Sequence, residues 1–251
     1  MPRRVVADDY QTAYDHRARY YRDPVMMTGR DAALTRFKID NVVARLPLHR
    51  DASVADVGPG DGSLFRAIRD RVGRCVGIDP SEHAVARLRS LFSDVDGVQF
   101  VIGTCTDLPR PAEPYDVVVI NSVIHMLPDE EAVRRTLRSL HDVCRRGGMV
   151  YVGEVPFRQE RASGLLAQLA VQVHHVGVGR ALRAVFEMYL RPLARGEPLL
   201  IEPVGRTLTF STDAFMGLAR AEGFEVECLP HLEPRGPSST RADYVLTRRA
   251  G

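Results

Sequence analysis

At 251 residues, 45% apolar and 26% charged, the chain has the make-up of a globular domain, which excludes a disordered segment. A net charge of +2, with arginines scattered among aspartates and glutamates, speaks against nucleic acid or an anionic membrane as partner. Cys75, Cys105, Cys144 and Cys228 give neither a disulfide framework nor metal-ligand spacing, and no stretch approaches the roughly 18 apolar residues of a membrane span.

The N-terminal stretch holds no apolar signal core, so a soluble cytoplasmic protein is expected. All but one of the 34 basic residues are arginine, the exception being Lys38, and we read that bias as genomic composition. Residues 8–21 read as a helix carrying Tyr10, Tyr14, Tyr20 and Tyr21. A second helix is expected over 30–46, where Ile39, Val42, Val43 and Leu46 keep helical spacing, and Pro47 ends it.

From Ser53 the pattern alternates between strands and helices. SVADV is a short buried strand, and the helix SLFRAIRDRV puts Leu64, Phe65, Ile68 and Val72 on one face. CVGID is a second strand. Ser81 caps the next helix, with Val85, Leu88, Leu91 and Phe92 facing inward. VQFVI and DVVVINS follow as third and fourth strands. The fourth is apolar on both faces, as in a parallel sheet covered by helices. A helix over 129–145 is expected to stop at Gly147 and Gly148, and MVYVGEV is a fifth strand. Residues 156–205 break the alternation: they read as helical, with Leu182, Val185, Phe186, Tyr189 and Leu193 in one stripe. Ser211 then caps a helix, followed by strands FEVECL and DYVLTR.

The stretch from Val54 to Ser63 carries glycines at 58, 60 and 62 between a strand and a helix. Bare backbone there lets a ligand approach the main chain, and the first N–H groups of the helix favour negative charge. Taken alone, the triplet is also compatible with a plain turn. A dinucleotide fingerprint would place its third glycine at position 63, where this chain has Ser63. Asp79 lies about 20 residues downstream at the tip of the second strand, where an acid can accept both hydroxyls of a ribose. Its other reading is a capping acid before Ser81. Loop and acid together point to a nucleoside-containing cofactor with an anionic end and no pyrophosphate cradle.

These residues resemble the class I S-adenosylmethionine-dependent methyltransferases. VADVGPGDG is similar to the first motif of that family, GIDPS to the second, IGTCTDLP to the third, YDVVVINSVIHMLPD to the fourth and RRGGMVYVGEV to the fifth. The likeness covers about residues 50–155, with an echo at 211–248 in STDAFMGLARAEGFEV. It implies an α/β, Rossmann-like, mostly parallel seven-stranded sheet with helices on both faces and an antiparallel last strand. Residues 1–50 would form a helical N-terminal extension or lid, 51–155 and 206–251 the core, and 156–205 a helical cap inserted after the fifth strand. By the same likeness, Asp56, Gly58, Gly60 and Gly62 hold the methionine part of S-adenosylmethionine. Asp79 holds the ribose, Thr104 and Cys105 border the adenine, and Asn121 begins the loop beside the sulfonium. The family usually offers the adenine amino group an acid where this chain has Thr104, with Asp107 three residues on.

His125, just after the fourth strand, is the candidate base, with a structural place at a helix start as its other reading. Tyr14, Tyr21, His174, His175 and Tyr189 are candidate substrate contacts, against ordinary packing or solvent exposure. Arg180, Arg183 and Arg191 read as a wet helix face before an anion site. The turn Asn121-Ser122-Val123-Ile124 is unlike the Asn/Asp-Pro-Pro-aromatic turn of base-directed N-methyltransferases. Asp116 sits at the wrong strand end for a metal-dependent catechol-type site, so no metal is expected. The reading is methyl transfer to a small-molecule acceptor, a hydroxyl of a sugar or secondary metabolite. N- or C-methylation and nicotinamide-dependent oxidoreduction are the alternatives, and a homodimer is compatible with either.

Overall fold

The computed structural model describes residues 4–6, 10–20, 32–157, 178–179, 182, 186, 190, 194, 199–201, 207–234 and 236–249. Seven strands form one sheet: β2 (Ser53–Val57), β3 (Arg74–Asp79), β4 (Val98–Ile102), β5 (Tyr115–Asn121), β6 (Cys144–Pro156), β8 (Phe224–Glu233) and β9 (Gly236–Arg248). Their order is β4-β3-β2-β5-β6-β9-β8. The pairs among β2 to β6 are parallel, and β9 runs antiparallel to both of its neighbours. Chain order reverses between β2 and β5, and such a switch point opens a crevice at the carboxyl ends of the strands.

The apolar runs of β2 and β5 are buried because helices cover both faces. On one face, α2 (Ala32–Val43), α3 (Ser63–Ile68) and α4 (Glu82–Leu91) pack Val42, Phe65, Ile68, Val85 and Leu88 against Val54, Val117 and Tyr151. On the other, α5 (Glu130–Val143) and α6 (Thr212–Ala221) bring Val133, Leu137, Leu140, Phe215 and Leu218 onto Val118, Ile120, Val150 and Tyr244. Each such side chain contributes about 1.5–3 kcal/mol when fully buried. Ser81, Asp129 and Ser211 cap α4, α5 and α6 through side-chain oxygens that accept the N–H three residues on.

Several boundaries differ from the sequence reading. Helix α5 ends at Val143, before the two glycines, which lie inside β6. Tyr115 pairs with Cys144 and Val117 with Met149, so residues 145–148 bulge out of the ladder, with Gly147 at φ 69°. Helix α3 is cut to Ile68, leaving Val72 beyond it. Leu91 is 54% exposed, because α4 buries the line through Val85 and Leu88 and leaves its last residue on the flank. Leu182 and Phe186 of the expected stripe are exposed.

The N-terminal extension contains α1 (Tyr10–Tyr20) and also a short strand, β1 (Arg4–Val6), which pairs in parallel with β7 (Leu199–Ile201). Residues 156–205, where the sequence suggested two helical stretches and no clear strand, therefore contain a strand. Among the described residues, no helix is long and apolar enough to cross a membrane.

Candidate functional site

At the switch point, β2 ends in Asp56 and Val57 and the chain turns through the glycine loop. Gly58, Gly60 and Gly62 all have left-handed backbone, at φ 77°, 56° and 76°. The Gly58 N–H donates to the Ile78 carbonyl at 2.9 Å, tying the loop to β3. A Cβ on Gly58 would lie 2.7 Å from Val123 Cγ2, so the bare position answers to the β5 loop as well as to any ligand. Gly62 caps α3 and faces Phe92 and Leu88 of the neighbouring helix, which makes its role one of packing. Gly60 lines a cavity of about 80 Å³ together with Gly58, Asp56, Asn121 and Lys38 of α2.

The cavity floor is acidic. Asp56 and Asp61 are each 5% exposed. Burial, then the charges of Asp79 and Asp61, push Asp56 up to about 8. Burial also lifts Asp79 to about 6, against the Ser81 N–H that it accepts at 2.9 Å and with help from Asp15. Asp79 thus makes the turn contact before Ser81, the one donor to it among the described residues. Vicinal hydroxyls at Asp79 and a cation near Asp56 would supply what burial removed.

Helix α1 docks beside this strand tip. Asp15 Oδ1 accepts from Ser81 Oγ at 2.6 Å and pairs with His83 Nδ1 at 3.1 Å. Tyr14, half-buried on the same helix, has the Arg17 guanidinium 5.1 Å from its ring centre. After β4, Thr104 is exposed, and its carbonyl accepts the Asp107 N–H at 3.2 Å. Cys105 is half-buried, accepts from Thr136 Oγ1 at 3.6 Å, and burial raises its thiol pKa. His125 is 7% exposed in the short turn Ile124–Met126 after β5, and its carbonyl accepts the Leu208 N–H at 3.1 Å. Tyr21, His174, His175 and Tyr189 lie outside the described residues, as do Arg180, Arg183 and Arg191.

Sequence reasoning missed an ionic cluster over the tips of β5 and β6. Glu154 is 2% exposed, and its carboxylate receives Lys38 Nζ at 2.8 Å and Asn121 Nδ2 at 3.4 Å, with Arg241 Nη1 at 3.7 Å. Its N–H donates to Asp243 Oδ1 at 2.8 Å, an oxygen that His231 Nδ1 also meets at 2.9 Å. Arg45 pairs with the other Asp243 oxygen. Burial pushes Asp243 up, but its contacts with His231, the Glu154 N–H and Tyr151 together outweigh it, and its pKa lies below the ordinary carboxylate value. A Cβ on Gly153 would overlap Asn121 Oδ1, so glycine makes room for the amide there. Two signals marked the cluster: one acid inside the apolar run YVGEV, and the one lysine of the chain on the α2 face that holds Ile39 and Val42.

The sequence and the fold are both similar to those of known proteins. Residues 55–152 match the family model described as Methyltransferase domain. Residues 55–152 form a class I S-adenosylmethionine-dependent methyltransferase domain. The chain is 33% identical over 156 residues to CymA, a probable non-canonical nonribosomal peptide synthetase of Salinispora arenicola, covering 60% of this chain and 2% of that one. It is 26% identical over 141 residues to the uncharacterised methyltransferase YcgJ of Bacillus subtilis, covering 55% of this chain and 52% of that one. The N-methyltransferase NodS of Bradyrhizobium japonicum, solved with S-adenosylhomocysteine, superposes with a TM-score of 0.61 at 13% identity, over 95% of this chain and 99% of that one. The chain thus spans about half of YcgJ and a small part of the synthetase. The match sets aside the nicotinamide alternative. Among the described residues, no group of three or more His, Cys, Asp or Glu side chains is arranged to hold a metal.

Proposed function

We propose that the chain transfers the methyl group of S-adenosylmethionine to a hydroxyl of a small molecule, with His125 as the base. The residues fit the cofactor by charge. Asp56 and Asp79, buried at adjacent strand tips with raised pKa values, suit a ligand that brings both a cation and ribose hydroxyls. Asp79 would accept the ribose hydroxyls, Asp56 would face the cationic end, and the backbone at Gly58 and Gly60 would carry the chain of the ligand. Thr104 and Cys105 would border the base through the turn after β4. The cofactor supplies a methyl carbon activated by a positive sulfur, which the acceptor oxygen displaces in line.

The protein's part is alignment, which is worth about 7–11 kcal/mol when reacting atoms are held in contact, together with removal of the hydroxyl proton. The observation that carries the hydroxyl reading is a titratable imidazole four residues beyond cavity-lining Asn121, buried where bulk water does not compete. In this reading the His125 ring takes the acceptor's proton as the carbon–oxygen bond forms. Tyr14, with Tyr21 on the same N-terminal segment, and the inserted residues His174, His175 and Tyr189 would enclose the acceptor. The test is a metabolite pool incubated with isotopically labelled methyl donor, followed by identification of the labelled product. Label on oxygen supports the reading; label on nitrogen or carbon overturns the hydroxyl assignment.

A further inference from the structure

The cavity beside the glycine loop poses a charge problem. Its lining includes Asp56 and Asp61, and Glu154 lies just behind Asn121. A methionine moiety carries an ammonium and a carboxylate. The ammonium matches the acids, whereas the carboxylate would meet repulsion unless a cation is present. Among the described residues that line the cavity, Lys38 is the one cationic side chain. In a chain whose other 33 basic residues are arginines, the one compact ammonium stands at this point.

Its place is fixed by a second residue. Glu154 does not line the cavity, yet its carboxylate touches two groups that do, Lys38 Nζ at 2.8 Å and Asn121 Nδ2 at 3.4 Å. Glu154 is in turn held at every polar point. Asp243 takes its N–H, Arg241 Nη1 approaches its carbonyl at 3.5 Å, and the backbone is locked at φ 61°. A buried non-glycine residue kept in that conformation marks a geometry that the surroundings enforce. An ammonium carries three donors, so Lys38 can serve Glu154 and a further anion together.

We propose that Lys38 receives the carboxylate of the cofactor's methionine moiety, and that Glu154 is the positioning residue that holds its ammonium in the cavity. The inference rests on the cofactor assignment above and adds the anionic subsite to it.

The test compares two probes by calorimetry on the full chain. S-adenosylhomocysteine has the amino-acid tail, and 5′-methylthioadenosine lacks it. Lys38→Met is expected to weaken S-adenosylhomocysteine about tenfold or more while 5′-methylthioadenosine binds as before. Lys38→Arg, which keeps the charge, is expected to retain most of the preference for the tailed probe. Glu154→Gln is expected to lower that preference while leaving 5′-methylthioadenosine unchanged. Equal losses for both probes in Lys38→Met would make the lysine a structural latch and overturn the proposal alone, as would no loss for either. If the parent chain bound neither probe, the cofactor assignment would fall and this subsite with it.

Discussion

Ser122 and Glu154 stand on adjacent strand tips with the same left-handed backbone, at φ 62° and 61°. The Ser122 N–H donates to the carbonyl of Gly153, directly before Glu154, at 3.0 Å. The two strained residues therefore brace each other where β5 and β6 end above the switch point. For side chains with a Cβ, such conformations cost of order 1–3 kcal/mol each.

Replacing Ser122 with glycine should release part of that cost. Ser122→Gly is expected to gain up to about 1 kcal/mol, raising the melting temperature by about 2–4 °C for a chain of this size. Thermal unfolding followed by circular dichroism reads it directly. An unchanged or lower melting temperature would mean that the hydroxyl contributes more than the backbone strain costs.

Gly60→Val should fill the cavity and force a branched side chain into φ 56°. The expected outcome in calorimetry is loss of measurable S-adenosylhomocysteine binding, with the fold retained by circular dichroism. Retained affinity would move the ligand away from the loop.

The raised pKa values of Asp56 and Asp79 give a pH dependence whose sign is fixed. A carboxyl whose folded pKa exceeds the unfolded value near 3.9 stabilises the ligand-free chain fully below that value, and this contribution is lost as pH climbs toward about 6 for Asp79 and about 8 for Asp56. A ligand whose ammonium and hydroxyls favour the ionised acids must displace those protons. Its affinity should then rise between pH 5 and 8, with proton release on binding. Titration in buffers of different ionisation enthalpy checks this, and Asp56→Asn should flatten the upper part of the profile.

His125→Ala should leave cofactor affinity intact and slow turnover by about 10²–10⁴-fold if the ring removes a hydroxyl proton. Single-turnover rates with the identified acceptor measure the effect. Turnover equal to the parent's would assign the buried ring to packing in the turn after β5.

The strands of the core, most of its helices and the glycine loop were legible in the sequence because local signals carried them. Alternating apolar runs, capping residues at 81 and 211, and an acid at each of two strand tips sit within short windows of chain. The end of α5 was misread because Gly147 and Gly148 look like a helix stop, whereas the turn occurs at Cys144 and the glycines feed a bulge. The Lys38–Glu154 pair was missed for a different reason. Its partners are 116 residues apart, and nothing local to either residue says that they meet. Asn121 and Gly153 show the same limit: each is ordinary in sequence, and only the packed tips show that one makes room for the other.

The short pairing of β1 with β7 bears on how the molecule is assembled. Arg4 lies opposite Leu199, so that ladder closes a loop spanning most of the polypeptide. The entropic cost of such closure grows with loop length, and three residue pairs return little against it. The ladder is therefore expected to form late, after the larger sheet has drawn its ends together. During synthesis, the first strand leaves the ribosome long before its mate exists and waits unpaired until the chain has been made as far as Leu199.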